Sequence, residues 1–338
     1  MKEAYDVCIF GVGPAGAATA IRMADCGFAS LVFERPHREK PWGGESFSGA
    51  IRQPLMALGL WKVFGAAGHV AGYEQRLAWG GEPWTNDTIF NPLGNLWHVD
   101  RDRFDHDLRQ AVRTRGVPIM NYGQLDELRW DGQEWRIRVD QGAAIPARYL
   151  VDATGRARAI ARRLGARPMV HDRLVALASL IPRNPRQDLA HAMIIESTPH
   201  GWWYAAPVPQ GHVLVFLTDS DLAPRDLARR MRTVSANSVF TGCESDCGWL
   251  AVGDSCAAYD PLCGYGVFRA LANGIVAADS IVQYLRTSDH SPIDEYRERC
   301  RSQFQQYLAG LARHYSYEQR WTSHPFWKRR VMQQNFES

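Results

Sequence analysis

The sequence predicts an α/β fold: a Rossmann-like nucleotide-binding domain, an antiparallel-sheet domain inserted into it, and a C-terminal helical segment. Three observations predict it. Residues 5–34 read as strand, glycine-rich turn, helix and a second strand ending on an acid. Residues 249–274 read as strand, Gly-Asp, glycine-rich loop and helix. Between them lie short strand-like segments bounded by Pro, Gly or Asn. At 338 residues the chain can hold one large α/β domain, a smaller insertion and a substantial core.

In the first segment, Val7, Cys8, Ile9 and Phe10 form the apolar run that a buried parallel strand needs. Gly11, Gly13 and Gly16 complete G-x-G-x-x-G, with Pro14 and Ala15 between the last two. Gly11 permits a tight turn, Gly13 lets a pyrophosphate approach the backbone, and Gly16 lets helix and strand pack closely. The helix start offers N–H groups and a positive dipole end to that pyrophosphate. Leu31, Val32 and Phe33 form the next strand, ending at Glu34, 18 residues past Gly16. A carboxylate there accepts from ribose hydroxyls and repels a 2′-phosphate, which argues against NADP; Arg35 follows it in the same candidate site. This fingerprint alone leaves NAD and FAD both open.

The second segment narrows the choice. Leu250, Ala251 and Val252 deliver Gly253 and Asp254, a carboxylate suited to ribityl or phosphate-side hydroxyls. Pro261, Gly264, Tyr265 and Gly266 lead into an alanine-rich helix from about Phe268. Its N-terminus suits the electron-rich N1/O2 edge of a reduced isoalloxazine. Taken in order, the two segments describe both ends of an FAD.

The intervening chain supplies the rest. RPHREKPWGGESFSG is rich in turn residues and places Gly44, Glu45 and Ser46 where a loop crosses the cofactor, before a helix near Gln53 to Leu60. Arg101 opens an amphipathic helix with Phe104, Leu108 and Val112 on one face; it reads either as reaching the flavin or as pairing with Asp105. Leu125 to Val139 alternates like strands, and Tyr149-Leu150-Val151 leads into DATGR. The FAD domain is thus expected in residues 1–75, 98–170 and 240–285. A substrate sheet is expected in 76–97 and 171–239, with strands Leu174–Ile181, Ala192–Ser197, Gly201–Pro207 and His212–Thr218. Residues 286–338 form the C-terminal segment.

Trp202, Trp203 and Tyr204 are candidate substrate-lining residues, with Trp203 facing opposite to the other two; the competing reading is core aromatics. No catalytic residue is assigned. His98 and His200 are weighed as general bases against a structural role. Tyr315, Tyr317, Trp321, Phe326 and Trp327 interleave with His314, Arg320, Lys328, Arg329 and Arg330. That pattern suits a docking surface, or, the favoured reading, a helix packed back on the FAD domain.

A net charge of +3 from 39 basic and 36 acidic residues argues against nucleic acid and membrane surfaces as partners. No apolar stretch approaches the roughly 20 residues of a membrane helix. The chain enters its first strand almost at once, so a cytoplasmic location is expected. Seven cysteines without paired C-x-x-C spacing predict no metal site and no disulfide framework.

GVGPAG with Glu34, Gly43-Gly44-Glu45-Ser46, Asp100-Arg101, Asp152-Ala153-Thr154-Gly155-Arg156 and Gly253-Asp254…Pro261…Gly264-x-Gly266 resemble, in that order, flavin monooxygenases shaped like p-hydroxybenzoate hydroxylase. Within them the chain is similar to the tryptophan-halogenase-like branch, and there to flavoproteins that mature peptidyl tryptophylquinone cofactors. The resemblance covers nearly the whole chain. It implies non-covalent FAD, reduced by transient NAD(P)H or an external reductant such as a partner reductase, and reacting with dioxygen. The resulting flavin hydroperoxide would hydroxylate an electron-rich aromatic, with a tryptophan in a peptide or protein as the expected substrate. The halogenase pattern is departed from twice: residues 65–80 hold no lysine, and G-W-x-W-x-I-P stands as Gly201-Trp202-Trp203-Tyr204-Ala205-Ala206-Pro207. These departures argue against halogenation. A flavin-dependent reductase of an isoprenoid double bond and a non-catalytic FAD-containing assembly factor are the alternatives.

Overall fold

The structure, a computed structural model, describes residues 4–36, 46–88, 91–182, 192–242 and 248–333. Its first sheet has seven strands among the described residues. Strands Ile119–Asn121, Ser30–Glu34, Tyr5–Phe10 and Ile145–Asp152 run parallel in that spatial order. The first half of Ile145–Asp152 then pairs with the antiparallel hairpin Trp135–Val139 and Leu125–Trp130, and its last residues pair in parallel with Trp249–Ala251. Val7 through Phe10 are fully buried, as an apolar run covered on both faces must be.

Helices Pro14–Asp25 and Gly266–Thr287 pack directly on one another. A Cβ on Gly274 would lie 2.5 Å from the Ala15 carbonyl oxygen and 3.0 Å from the Ala18 Cβ. Thr19 Oγ1 donates to both the Ala15 and Gly274 carbonyls. This backbone-close crossing accounts for the alanine-rich composition of both helices. It also brings the two glycine motifs together.

The second large sheet runs Arg232–Ser235, Leu174–Pro182, Gly211–Asp219, Gly201–Val208, Met193–Thr198, Glu74–Ala78, Trp84–Asp87. All its pairings are antiparallel except that of Met193–Thr198 with Glu74–Ala78. Two three-stranded sheets complete the strand set among the described residues: Ser46–Phe47, Leu96–His98, Val70–Gly72; and Met169–Val170, Val239–Phe240, Ala257–Ala258. The architecture is the expected α/β fold with a mixed first sheet, an inserted sheet and C-terminal helices.

The C-terminal helices Ser291–Ser316 and Pro325–Gln333 pack back on the protein as favoured, but against both large sheets. Tyr315, Phe326 and Trp327 are buried in one cluster with Trp202, Val213, Val215 and Leu217 of the second sheet. Arg330 pairs with Asp219 at 3.0 Å and Arg329 with Asp221 at 2.6 Å. The aromatic and basic residues therefore clamp this segment to the second sheet, while Ile293, Tyr296, Phe304 and Tyr307 pack the long helix on the first-sheet layer, and most of the proposed docking surface is spent on that packing. No helix among the described residues is long and apolar enough to cross a membrane. No cluster of metal-ligating side chains is found among them either.

Candidate cofactor and substrate site

The first turn is built as its glycines require. Gly11 has φ +100°, and a Cβ there would meet the Ala153 carbonyl oxygen at 2.4 Å. On Gly16 it would meet the Gly11 carbonyl oxygen at 2.0 Å. Gly13 differs: its Cβ would meet nothing within 4 Å. Gly13 is the N-cap, no side chain caps the helix, and Pro14 at the first helical position has no N–H to offer. Ala15 is buried against the partner helix. The helix start thus faces open space with its dipole uncapped by protein.

Glu34 is buried at 7 % exposure, and its Oε2 accepts from the Val12 N–H at 2.9 Å. The Arg109 guanidinium lies 3.5 Å from Oε1. The acid therefore fixes the glycine turn as well as marking the strand end, and Arg109 is a neighbour the sequence reading missed. Arg35 turns outward over the Tyr122 ring, 5.5 Å from its centroid.

The second motif meets the first through Gly253, which has φ +58° and whose Cβ would lie 2.7 Å from that of Ala15. Asp254 is half-exposed beside Arg156 at 3.4 Å. Arg156 is pinned by the Asn237 and Tyr259 carbonyls. Fully buried Asp152 ties the motifs together: Oδ1 accepts from Thr154 N–H and the Ser255 hydroxyl, and Oδ2 from Ala161 N–H. Pro261 opens a single 3-10 turn, Gly264 takes φ +63°, and Gly264 and Gly266 have open space where a Cβ would stand. Tyr265 is 37 % exposed, and no side chain caps the helix from Gly266. Beside this loop a cleft of about 450 Å³ opens between the two long helices, lined by Tyr265, Phe268, Arg269, Arg299, Gln303 and His314.

Two uncapped helix starts, open space at Gly13, Gly264 and Gly266, and acids Glu34 and Asp254 fit a dinucleotide laid from one motif to the other. Gly44 and Glu45 lie outside the described residues. Arg101 pairs with Asp105 at 3.3 Å. Asp105 is only 1 % exposed, so this is a partly buried pair rather than a surface one.

Asp260, immediately before the loop, is fully enclosed. Burial pushes its carboxyl up to about 6, against the pull of the Leu262 N–H and the Tyr315 hydroxyl at 2.8 Å each. Tyr315 in turn accepts from the Trp202 indole N–H at 3.1 Å. Trp202 is 1 % exposed, so the core reading holds for it, not the substrate-lining one. Trp203 faces the other way, its ring tilted against Phe216 with centroids 4.7 Å apart. Tyr204 shares the Trp202 face but reaches the other motif region: its hydroxyl donates to Ser46 Oγ at 2.8 Å, and Ser46 lies 2.7 Å from His98 Nδ1. His98 is completely buried, whereas His200 is exposed at a hairpin turn beside His324.

Comparison with known proteins follows this geometry. The sequence profile described as tryptophan halogenase matches residues 75–337. The chain belongs to the tryptophan halogenase family. It is accordingly an FAD-dependent oxidoreductase of that family. Over 97 % of its length and 97 % of the relative's, it is 26 % identical to the putative FAD-dependent oxidoreductase LodB of Marinomonas mediterranea. Among solved structures it is similar to the peptidyl tryptophan dihydroxylase QhpG (TM-score 0.77, 25 % identity, 97 % of this chain and 78 % of that one). The fold is also that of the myxobacterial chondrochloren halogenase CndH (TM-score 0.84, 21 % identity, 99 % and 89 % coverage). Halogenases are prominent among its other relatives. That weight runs against the inference from residues 65–80 and 201–207 that halogenation is disfavoured, and it returns halogenation to the readings to be tested.

Proposed function

We propose that this FAD-dependent oxidoreductase adds oxygen to an electron-rich aromatic ring, with a tryptophan in a peptide or protein as the substrate class. The observation that carries the reading is where the lysines stand. The chain has four, Lys2, Lys40, Lys62 and Lys328. The two among the described residues, Lys62 and Lys328, are both exposed to solvent on helices. The amine that halogenases place between cofactor and substrate has no counterpart among the described residues there. End-to-end similarity to LodB, and the dihydroxylase activity named for QhpG, support the same reading.

Bound reduced FAD would supply the electrons that activate dioxygen. Gly11, Gly13, Pro14, Ala15, Gly16 and Glu34 would hold its adenosine and pyrophosphate end; Asp254, Pro261, Gly264, Tyr265 and Gly266 its flavin end. The second sheet would cover the ring and exclude water. Electrons would come from NAD(P)H acting transiently or from a partner reductase.

Family membership and the halogenase relatives favour a second reading, halogenation of the same class of ring. One experiment separates them. The purified protein with FAD, an NAD(P)H-linked flavin reductase and dioxygen is offered tryptophan peptides and free indoles, with and without bromide or chloride, and products are read by mass spectrometry. Addition of one or two oxygens independent of halide supports the proposal. A halide-dependent product with a halogen isotope pattern overturns it in favour of the second reading. Consumption of the donor with saturation of an added isoprenoid double bond, and no aromatic product, points to the isoprenoid reductase alternative.

A further inference from the structure

Three residues from three separate strands meet in one hydrogen-bonded line. Tyr204, on the second sheet, donates its hydroxyl proton to Ser46 Oγ at 2.8 Å. That leaves the Ser46 proton for His98 Nδ1 at 2.7 Å. Read in this direction, Nδ1 is the acceptor and His98 is the neutral Nε2–H tautomer. Ser46 and His98 are register partners in neighbouring strands, which holds serine and imidazole side by side. Gly72, on the strand at the other side of His98, makes room for the ring: a Cβ there would lie 2.3 Å from Nε2 and 3.0 Å from Cδ2.

The position of Tyr204 sharpens this. It replaces the second tryptophan of G-W-x-W-x-I-P. An indole N–H can only donate, whereas a phenol donates and accepts at one oxygen. Only the phenol can receive a proton on one side while passing one on at the other.

We propose that Tyr204, Ser46 and His98 form a proton relay that removes the proton an aromatic ring loses during substitution. The proposal rests on the aromatic-oxidation reading above and applies whether oxygen or halogen is added, since both substitutions release that proton. When the new bond forms at a ring carbon, the C–H bond breaks and its electron pair returns to the ring. The proton goes to the Tyr204 oxygen, the Tyr204 proton to Ser46 Oγ, and the Ser46 proton to His98 Nδ1. The oxidant is the dioxygen activated by reduced flavin, and no electrons pass through the relay. The proton returns along the same line to water once product leaves. Tyr204 is the catalytic member; Ser46 and His98 act through it.

The test uses the holoenzyme labelled with ¹⁵N-histidine, together with Tyr204→Phe, Ser46→Ala and Gly72→Ala. In the parent protein the ¹⁵N shifts of His98 should report an unprotonated Nδ1 and a protonated Nε2, and Gly72→Ala should disturb them without removing any member of the line. Tyr204→Phe and Ser46→Ala should each lower kcat for aromatic product about 100-fold at saturating FAD and substrate, and lose no more when combined. A protonated Nδ1 in the parent, or full kcat in Tyr204→Phe, overturns the relay. Failure of the parent protein to oxidise any aromatic overturns the function reading and the relay's role with it. In that case the ¹⁵N shifts still decide the direction of the hydrogen bonds, so the two failures remain distinct.

Discussion

Replacing Gly13 or Gly16 with alanine should damage different things, although the two stand three residues apart in one turn. The added Cβ on Gly16 would fall 2.0 Å from the Gly11 carbonyl oxygen and 2.9 Å from the Ala153 Cβ. Neither the Gly11 backbone nor a Cβ fixed to the Ala153 backbone can swing aside, so the overpacking cost belongs at the upper end of the usual range, about 3 kcal/mol. With an unfolding entropy of about 2.1 cal/mol/K per residue, that lowers the melting temperature of this chain by about 4 °C. Gly13 has φ −66°, which alanine adopts freely, and its Cβ would touch no protein atom within 4 Å. Gly13→Ala should therefore melt with the parent when stripped of flavin. It would instead occupy the space in front of the helix start and displace a pyrophosphate from one charge-assisted hydrogen bond, about 1.5–3 kcal/mol. That is a roughly 10- to 100-fold weaker Kd for FAD. Flavin-fluorescence titration of the stripped proteins gives the Kd, and circular-dichroism melts give stability. A folded Gly13→Ala protein with parental FAD affinity would refute the placement of the cofactor. A Gly16→Ala protein melting with the parent would refute the packing argument instead.

Glu318 should link the C-terminal segment to pH. Burial alone would raise its carboxyl, but Arg320, Ser197 and the Gly80 N–H outweigh this and hold it at about 2, below the ordinary 4.5. The contribution is present above pH 4.5 and is lost as pH falls towards 2; discounted for the part-exposed Arg320 it is about 2 kcal/mol. Urea denaturation should show Glu318→Gln weaker by that amount at pH 7, with the gap closing in acid; a constant gap would contradict the linkage. Asp260 works in the opposite sense. Its folded value of about 6 lies above the ordinary 3.8, so its contribution is present below pH 3.8 and is lost as pH rises through 6, costing about 3 kcal/mol. Asp260→Asn should flatten the difference in stability between pH 4 and pH 8, and an unchanged slope would sink the assignment. Trp202→Phe should cost about 2–3 kcal/mol through lost packing and the lost bond to Tyr315, while leaving product identity unchanged. A new product from that variant would restore Trp202 to the substrate wall.

What could be read from the chain was what neighbouring residues decide. The glycine spacing at Gly11, Gly13 and Gly16, the apolar run Val7–Phe10 and the alternation at Gly201–Pro207 are local, and each appears in the fold where its period or backbone freedom requires. Alternation also placed Trp203 opposite Trp202 and Tyr204. It could not say what each face meets, because Trp202 is met by Tyr315, 113 residues away. Ser46 was assigned to a cofactor loop and His98 weighed as a lone base. Their junction with Tyr204 closes 52 and 158 residues of chain, and no spacing rule carries that distance. The same holds for the C-terminal basic residues, whose partners Asp219 and Asp221 carry no local mark. Arg101 stands on the legible side: its spacing to Asp105 fits a helical ion pair, and that pair forms, although the burial of Asp105 carries no local mark.

The aromatic run at 202–204 has thus divided its work, and the division bears on how the two sheets are held in register. Trp202 joins the second sheet to Tyr315, and Tyr315 joins the C-terminal helix to Asp260, which caps the short turn before Gly264. Asp260 also gives its own N–H to Tyr307 of the same helix, and Tyr307 is bonded to Ser238. The Gly264 loop is therefore anchored, through buried hydrogen bonds, to a helix that also grips the second sheet. Tyr204 meanwhile ties the neighbouring position of that sheet to Ser46 on the cofactor side. Two contacts from one face of the strand, at 202 and 204, fix the sheet to the first-sheet layer at two points. Rotation of the sheet about either point alone would break the other. A ring bound between the layers would then meet walls whose separation is set by buried hydrogen bonds rather than by the mobile length of surface side chains, as a reaction that must position one ring carbon demands.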